Sequence, residues 1–389
     1  MSASEPAGGE DKARVSVSEP AGGEDEARVS VSEPAGGRVR VDAGRLRTFC
    51  ETALGAAGAT DGDAAIAAQI LVRTDLRGVH THGVQTLPIH VKNLRDGGTS
   101  SPTRPQVVRE SAVTAVVDGH GGMGLVVAQR AVDLAIDKAG DAGVGVVLVR
   151  NSNHFGAAGQ YALLAAEAGY IGLATSNASP IMAAAGSRGK VISNAPLAYA
   201  IPTAGFPMAL DIAMSATAGM KVRLAAERGE AIPEGWVLDR DGRPTTDPGD
   251  YAKGGALAPL GGHKGYGLAL LTEVLAGVLS GAGITKAIVP WLIDTATPTD
   301  AGHGFVVLDI DCFMDRSEFF ARMQRLIDEM HAAEPAPGVD RVLVPGELEH
   351  DNERHALEHG LALEPVIWTH LEAVARDLRI PLDIAYSAR

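Results

Sequence analysis

Apolar positions recur along this chain in two rhythms, and each rhythm predicts an element. Between Asp61 and Asp75, residues Ala64, Ala68, Leu71 and Val72 fall on one face of a helix. An earlier helix runs through Leu46, Phe49 and Leu54, with Asp42 placed to cap its first turn. Val84–Leu94, Val126–Ala139, Gln160–Gly169, Leu268–Leu279, Arg316–Met330 and Trp368–Leu378 read as further helices, and another follows Ala213 and passes through Lys221. Short apolar runs bounded by turn residues predict strands at Thr114–Asp118, Val144–Val149, Ile171–Ser176, Met208–Ala213 and Gly304–Asp309. Strands and helices alternate without clean βαβ repeats. The expected class is therefore α/β, with a sheet less symmetric than a doubly wound one.

Polar clusters stand at several of the predicted junctions. The loop Asn151-Ser152-Asn153-His154-Phe155-Gly156-Ala157-Ala158-Gly159 joins a strand end to a helix start. Its glycines permit close backbone approach and His154 titrates near neutral pH, which suits a ligand; the alternative is a loop whose Asn and Ser side chains only cap the helix. His80-Thr81-His82-Gly83 lies between two helices, where Thr81 can fix the His82 imidazole or the turn can simply cap a helix. With His90 further on, the same stretch offers a metal-dependent hydrolase reading through His80, His82 and His90. Such a pair normally sits on a strand with more ligands at recognisable spacing, so no metal is expected. His263-Lys264-Gly265-Tyr266-Gly267 opens a helix, and free N–H groups beside a lysine suit a phosphate, unless the lysine is merely solvated. Asp211, expected at a strand tip, either binds a hydroxyl or caps the next helix.

Gly119-His120-Gly121-Gly122-Met123-Gly124 spells G-x-G-x-x-G between a strand and a helix. The following strand ends in Arg150 and Asn151, without the acidic residue that holds a ribose hydroxyl, so a Rossmann fingerprint is not expected here. No G-x-S-x-G elbow is present. Histidines for proton transfer and a helix-start lysine for phosphate suit a redox enzyme that protonates a carbonyl while a dinucleotide supplies hydride.

Composition narrows the setting. The chain has 389 residues, 46% hydrophobic and only 4% aromatic, so a large core must be built mainly from Ala, Val, Leu and Ile. A net charge of −14 gives no general attraction for nucleic acid or anionic membrane. Cys50 and Cys312 make neither a CxxC pair nor a disulfide scaffold, and a cytoplasmic setting is the simplest expectation. Leu268–Ile284 is interrupted by Glu273 and glycines, so no membrane span is expected, and no signal peptide is visible. Residues 1–40 hold a tandem repeat, SEPAGGEDKARVSV from Ser4, SEPAGGEDEARVSV from Ser18 and a truncated copy from Ser32. With little apolar content to bury, this tail is expected to be disordered.

A set of motifs in order carries a resemblance. Asp75-Leu76-Arg77-Gly78-Val79-His80-Thr81-His82-Gly83-Val84, Arg150-Asn151-Ser152-Asn153-His154-Phe155-Gly156-Ala157, Gly235-Trp236, Pro244-Thr245-Thr246-Asp247-Pro248, Lys264-Gly265-Tyr266-Gly267-Leu268 and Pro345-Gly346-Glu347 resemble the malate/L-lactate dehydrogenase family of the non-Rossmann type. That family includes ureidoglycolate dehydrogenase, sulfolactate dehydrogenase, 2,3-diketogulonate reductase and piperideine-2-carboxylate reductase. The resemblance implies a non-Rossmann α/β fold with a mixed sheet and helical N- and C-terminal parts. It implies residues 41–110 packing with 255–389 as one domain, a central α/β domain over 111–254, and an active site between them. It also implies a homodimer using NAD or NADP to interconvert a 2-hydroxy acid and a 2-oxo acid or close analogue. The match of His82 is commonly the proton donor, oriented by the match of Thr81, although in some relatives the match of His154, at the substrate, is named the acid/base. Lys221 matches a position that assists the acid/base. Asp211 to Ala213, His263, Lys264, Gly346 and Glu347 match cofactor contacts, and Asn194 falls near substrate. Relatives usually read Ser-His-Gly-Val-x-Arg, with the arginine suited to a substrate carboxylate; here that position is Thr86, and a common tyrosine is His90. A non-catalytic cofactor-binding relative is the remaining alternative.

Overall fold

The computed structural model describes residues 37–386, so the expected disorder of the repeat falls largely outside the described residues. Its elements are β1 (Val39–Val41), α1 (Ala43–Ala56), α2 (Asp61–Leu76), α3 (Leu87–Asp96), β2 (Gln106–Glu110), β3 (Thr114–Asp118), α4 (Gly124–Ala142), β4 (Val144–Ser152), α5 (Ala158–Glu167), β5 (Ile171–Ser176), β6 (Pro196–Ile201), β7 (Met208–Ala213) and α6 (Gly219–Arg228). There follow β8 (Val237–Leu238), β9 (Pro244–Thr245), β10 (Ala256–Leu257), α7 (His263–Glu273), β11 (Ala301–Leu308), α8 (Arg316–His331), α9 (Glu347–His359), β12 (Leu361–Leu363) and α10 (Pro365–Leu378). Val39 and Arg40, grouped with the tail in the sequence, instead belong to β1, which pairs with β12.

The main sheet has seven strands in the order β2-β3-β4-β11-β5-β6-β7. Only the β3–β4 pair is parallel; the others run antiparallel. This is the asymmetric α/β sheet that the irregular alternation predicts. β11, formed by Ala301–Leu308, lies at the centre of the sheet, so the sheet draws on chain from both sides of residue 254.

The low aromatic content has a physical consequence in the packing. A Cβ on Gly145 of β4 would lie 1.9 Å from the Ala135 carbonyl oxygen of α4, and one on Gly172 of β5 would lie 2.8 Å from the Ala162 carbonyl oxygen of α5. The two helices therefore rest almost directly on the sheet, and small side chains fill a thin, dense interlayer. A smaller apolar cluster around Met182, Met214, Val222, Val237 and Leu257 holds α6 and the short β8, β9 and β10 strands.

Three elements differ from the sequence reading. The segment expected to be helical from Val84 begins instead with a 3-10 turn, Val84–Thr86, which follows another at His80–His82, and α3 starts only at Leu87. The helix at 268–279 starts earlier, at His263, and passes into a π-helical stretch, Val274–Leu279. Asp211 is not the tip of its strand, since β7 continues to Ala213.

Candidate active site

Asp75 organises the loop that carries His82. Its side chain is fully buried near the end of α2. It accepts the Val84 N–H at 2.5 Å and bonds His80 Nδ1 at 2.7 Å. Burial raises its pKa, while the His80 and Val84 hydrogen bonds oppose the rise. Gly83 leaves room for this carboxylate. His82 projects between these anchors, half-buried, with Nδ1 3.0 Å from Thr81 Oγ1. Burial lowers its pKa below the ordinary histidine value. His80 is committed to Asp75 rather than turned towards His82 and His90. Among the described residues no group of three or more His, Cys, Asp and Glu side chains is arranged to hold a metal ion. Thr86 Oγ1 donates to the Gly83 carbonyl at 2.8 Å and so closes the same turn.

The second histidine comes from the loop between β4 and α5. Phe155 anchors it from below, stacked on Tyr161 at 5.0 Å and on His303 at 4.5 Å. The Tyr161 hydroxyl donates to the Phe155 carbonyl. Asn153 ties the loop to its surroundings: Nδ2 donates to the Gly121 and Gly122 carbonyls at 2.9 Å, and Oδ1 accepts from Thr299 N–H at 2.9 Å. A Cβ on Gly124 would lie 2.1 Å from the Asn153 carbonyl oxygen and 2.4 Å from that of His154. The glycine-rich stretch after β3 thus makes room for the His154 loop, which explains a G-x-G-x-x-G spelling outside a Rossmann fold.

The loop places the His154 ring 5.7 Å from that of His82, stacked within 18°. Trp291 stacks on His154 at 4.0 Å, and His90 from α3 stands tilted 6.0 Å from it. Burial, followed by the neighbouring His82, His90 and His303, holds the His154 pKa well below the ordinary value. Burial alone pushes His90 down to about 4. Gly156 N–H faces His154 Nδ1 at 3.4 Å, a long contact that leaves Nε2 as the ring's free nitrogen.

A second group of the residues singled out in the sequence lies along β7. Asp211 Oδ2 accepts the Gly159 N–H at 2.7 Å, so its carboxylate caps α5, the helix leaving the His154 loop, rather than the helix that follows β7. Partial desolvation of this otherwise exposed carboxylate, opposed by the Gly159 bond and reinforced by nearby Glu349, pushes its pKa up to about 6. Beyond Ala213, Leu260 N–H donates to the Met214 carbonyl at 2.9 Å, which brings the start of α7 to the end of β7. There His263 and Lys264 are exposed. Gly346 packs on the other end, where a Cβ would lie 2.8 Å from Ala209 N. Glu347 is held by Arg341 at 3.0 Å and His331 at 2.8 Å, so it braces the start of α9. Asn194 accepts the Met214 N–H through its carbonyl and reaches Ser215 Oγ at 3.3 Å. Lys221 stands on α6, with Nζ 6.0 Å from the centre of the Trp236 ring. The structure thus gathers His82, Thr81 and His154 at one place, and Asp211, Ala213, His263, Lys264 and Gly346 along one strand.

Trp291, Asn153, Thr299 and Asp75 were missed as site residues in the sequence. Trp291 sits in an irregular segment with no periodicity, and it reaches the site because Asn93 Nδ2 donates to its carbonyl at 3.3 Å. Asp75 offered a signal, an acidic residue shortly before the His-Thr-His stretch.

A family model described as malate/L-lactate dehydrogenase matches residues 41–372. A malate dehydrogenase from Pyrococcus horikoshii is 37% identical over 346 residues, which span 87% of this chain and 95% of that relative. An L-sulfolactate dehydrogenase from Methanocaldococcus jannaschii is 36% identical over 329 residues, 84% of this chain and 93% of the relative. The solved structure of the Pyrococcus horikoshii enzyme superposes with a TM-score of 0.83 at 34% identity, over 90% of this chain and 98% of that one.

Proposed function

The chain belongs to the malate/L-lactate dehydrogenase family, and from that premise we propose how its residues interconvert a 2-hydroxy acid, or a close analogue, and the corresponding 2-oxo compound. It is an NAD(P)-dependent dehydrogenase of the non-Rossmann type. The donor set along β7 fits a dinucleotide. Asp211 offers a carboxylate to a ribose hydroxyl, and the exposed side chains of Lys264 and His263 at the start of α7 offer donors to a pyrophosphate, since the Lys264, Gly265 and Tyr266 N–H groups are already taken by the Gly261, Leu260 and Gly262 carbonyls. Gly346 keeps α9 close against β7, and Glu347 holds that helix start in place. Bound there, the nicotinamide supplies or accepts the hydride.

His82 is the acid/base. Thr81 holds Nδ1, which leaves Nε2 to give the proton to the carbonyl oxygen in reduction and to take it from the hydroxyl in oxidation. His154 stays neutral and donates a hydrogen bond from Nε2 to the same oxygen, polarising it without carrying the proton away. Trp291, stacked on His154, keeps that ring fixed. Lys221 assists the acid/base, and Asn194 borders the substrate. The observation that carries this reading is the stacked His82–His154 pair with Nδ1 of His82 already engaged by Thr81. Thr86, spent on the turn, supplies no charge to a substrate carboxylate. His82→Ala tests the role: turnover is lost while reduced-cofactor binding persists, and unchanged turnover in folded protein would sink it.

The active form is a homodimer in the cytoplasm. Leu271 at 52%, Val278 at 61% and Leu279 at 62% exposure continue one apolar face of α7 and its π-helical end, the kind of patch that a second copy covers. Leu271→Glu is expected to yield a monomer by light scattering. No helix among the described residues is long and apolar enough to cross a membrane, and Cys50 and Cys312 are free thiols.

A further inference from the structure

Beside His154 lies a cavity of about 10 Å³, room for a single water-sized group. His90, Asn153, His154, Trp291 and Thr299 line it. Two of the side chains there have a buried polar atom with no hydrogen-bond partner, His90 Nε2 and Thr299 Oγ1. These residues are 8% and 4% exposed, so solvent at the surface does not satisfy them. Buried polar groups are rarely left unpaired, and two around one small void point to an occupant that pairs with both. No Asp, Glu, Lys or Arg lines the void. A carboxylate or ammonium there would be a buried charge without a counter-ion. A methyl group would leave both atoms unpaired. A hydroxyl both donates and accepts, and it alone among these matches an imidazole nitrogen and a threonine hydroxyl at that size.

We propose that this cavity is a binding site for one neutral hydroxyl-type group, an ordered water or a hydroxyl of the substrate, held between His90 Nε2 and Thr299 Oγ1. The substrate source rests on the dehydrogenase reading; the site itself does not. The low pKa of the buried His90 ring agrees with a neutral partner. The site lies against His154, so its occupant also sets how that ring is backed during proton transfer.

A high-resolution crystal structure of the full chain, with the Thr299→Val variant beside it, tests the site. An oxygen within hydrogen-bond distance of both atoms in the wild type, and absent from the variant at an unchanged melting temperature, is expected. A dry cavity, a His90 ring turned so that Nε2 bonds a protein atom, or an oxygen unaffected by Thr299→Val overturns the proposal. The two sources separate with hydroxypyruvate. A crystal soaked in hydroxypyruvate and oxidised cofactor shows either the substrate hydroxyl in the cavity or a separate water retained there. With the substrate hydroxyl as occupant, the kcat/KM preference for hydroxypyruvate over pyruvate falls about tenfold in Thr299→Val; with water it does not change. A filled cavity in protein that oxidises no NADH would refute the dehydrogenase reading and leave the site standing. An active enzyme with a dry cavity would do the reverse.

Discussion

Gly83→Ala would place a methyl carbon 2.1 Å from Asp75 Oδ2, 2.3 Å from Cγ and 2.5 Å from Oδ1. The φ of Gly83 is −87°, outside the left-handed region that favours glycine. The obstacle is a fully buried carboxylate held by Val84 N–H and His80, which has nowhere to retreat. Ordinary contact begins at 3.4 Å, so loop and carboxylate must separate by about 1 Å. Overpacking of this kind costs about 1–3 kcal/mol. For a chain of this size that lowers Tm by about 1–4 °C. The displaced loop carries His82, and a shift of about 1 Å at a reacting group costs about 100-fold in rate. Calorimetry and initial rates with the best 2-oxo substrate measure the two effects. Gly62→Ala is the control, since nothing lies within 4 Å of its new Cβ and the position is helical. If Gly83→Ala melted and turned over like that control, the role given to Asp75 would be wrong.

His82→Ala should lower kcat by about 10²–10⁴ while leaving NADH binding within a few-fold, read by single-turnover rates and fluorescence titration. Because burial sets the His82 pKa below 6.5, carbonyl reduction should weaken as pH rises through that lowered value, and alcohol oxidation should gain through the same window and level off above it. A reduction rate that peaks near pH 8 would contradict the assignment. His303 at about 3 and His90 at about 4 are depressed from 6.5, so their contribution to stability is full above 6.5 and lost as pH falls towards those values. Each such histidine costs about 1.4 kcal/mol per pH unit in that range, and a urea midpoint that stayed constant from pH 7 to 5 would refute it. Asp211→Asn should weaken NADH binding about tenfold and narrow its advantage over NADPH, since a carboxylate repels a ribose phosphate; equal affinities in the parent protein would show that Asp211 does not face the ribose.

Elements whose stabilisation is local were legible in the sequence. α2 and α4 carry their apolar faces in plain periodicity, and β4 is a run of valines and leucine buried by its neighbours. α9 was not legible: Glu347-Leu348-Glu349-His350-Asp351-Asn352-Glu353-Arg354 has no apolar stripe. That helix is held by ion pairs to α2, Arg77 to Glu353 at 2.9 Å and Arg73 to Glu353 at 3.5 Å, between residues far apart in the chain. The chemistry followed the same division. His82 and His154 announced themselves in polar, glycine-bearing junctions. His303 did not: it lies mid-strand, neutral, with Ser152 at 2.8 Å and Ser176 at 2.9 Å on its two nitrogens, and stacks beneath Phe155. The glycines after β3 announced close approach but not what approaches, because the partner is a loop that arrives only when β4 pairs with β3.

Titration of the purified protein with NADH and NADPH, followed by nicotinamide fluorescence and quenching of the tryptophans, tests the central claim most directly. Saturable binding of NADH, tighter than that of NADPH, is expected, with oxidation of the bound cofactor when a 2-oxo acid is added. Folded protein that binds neither cofactor would contradict the claim that this site transfers hydride.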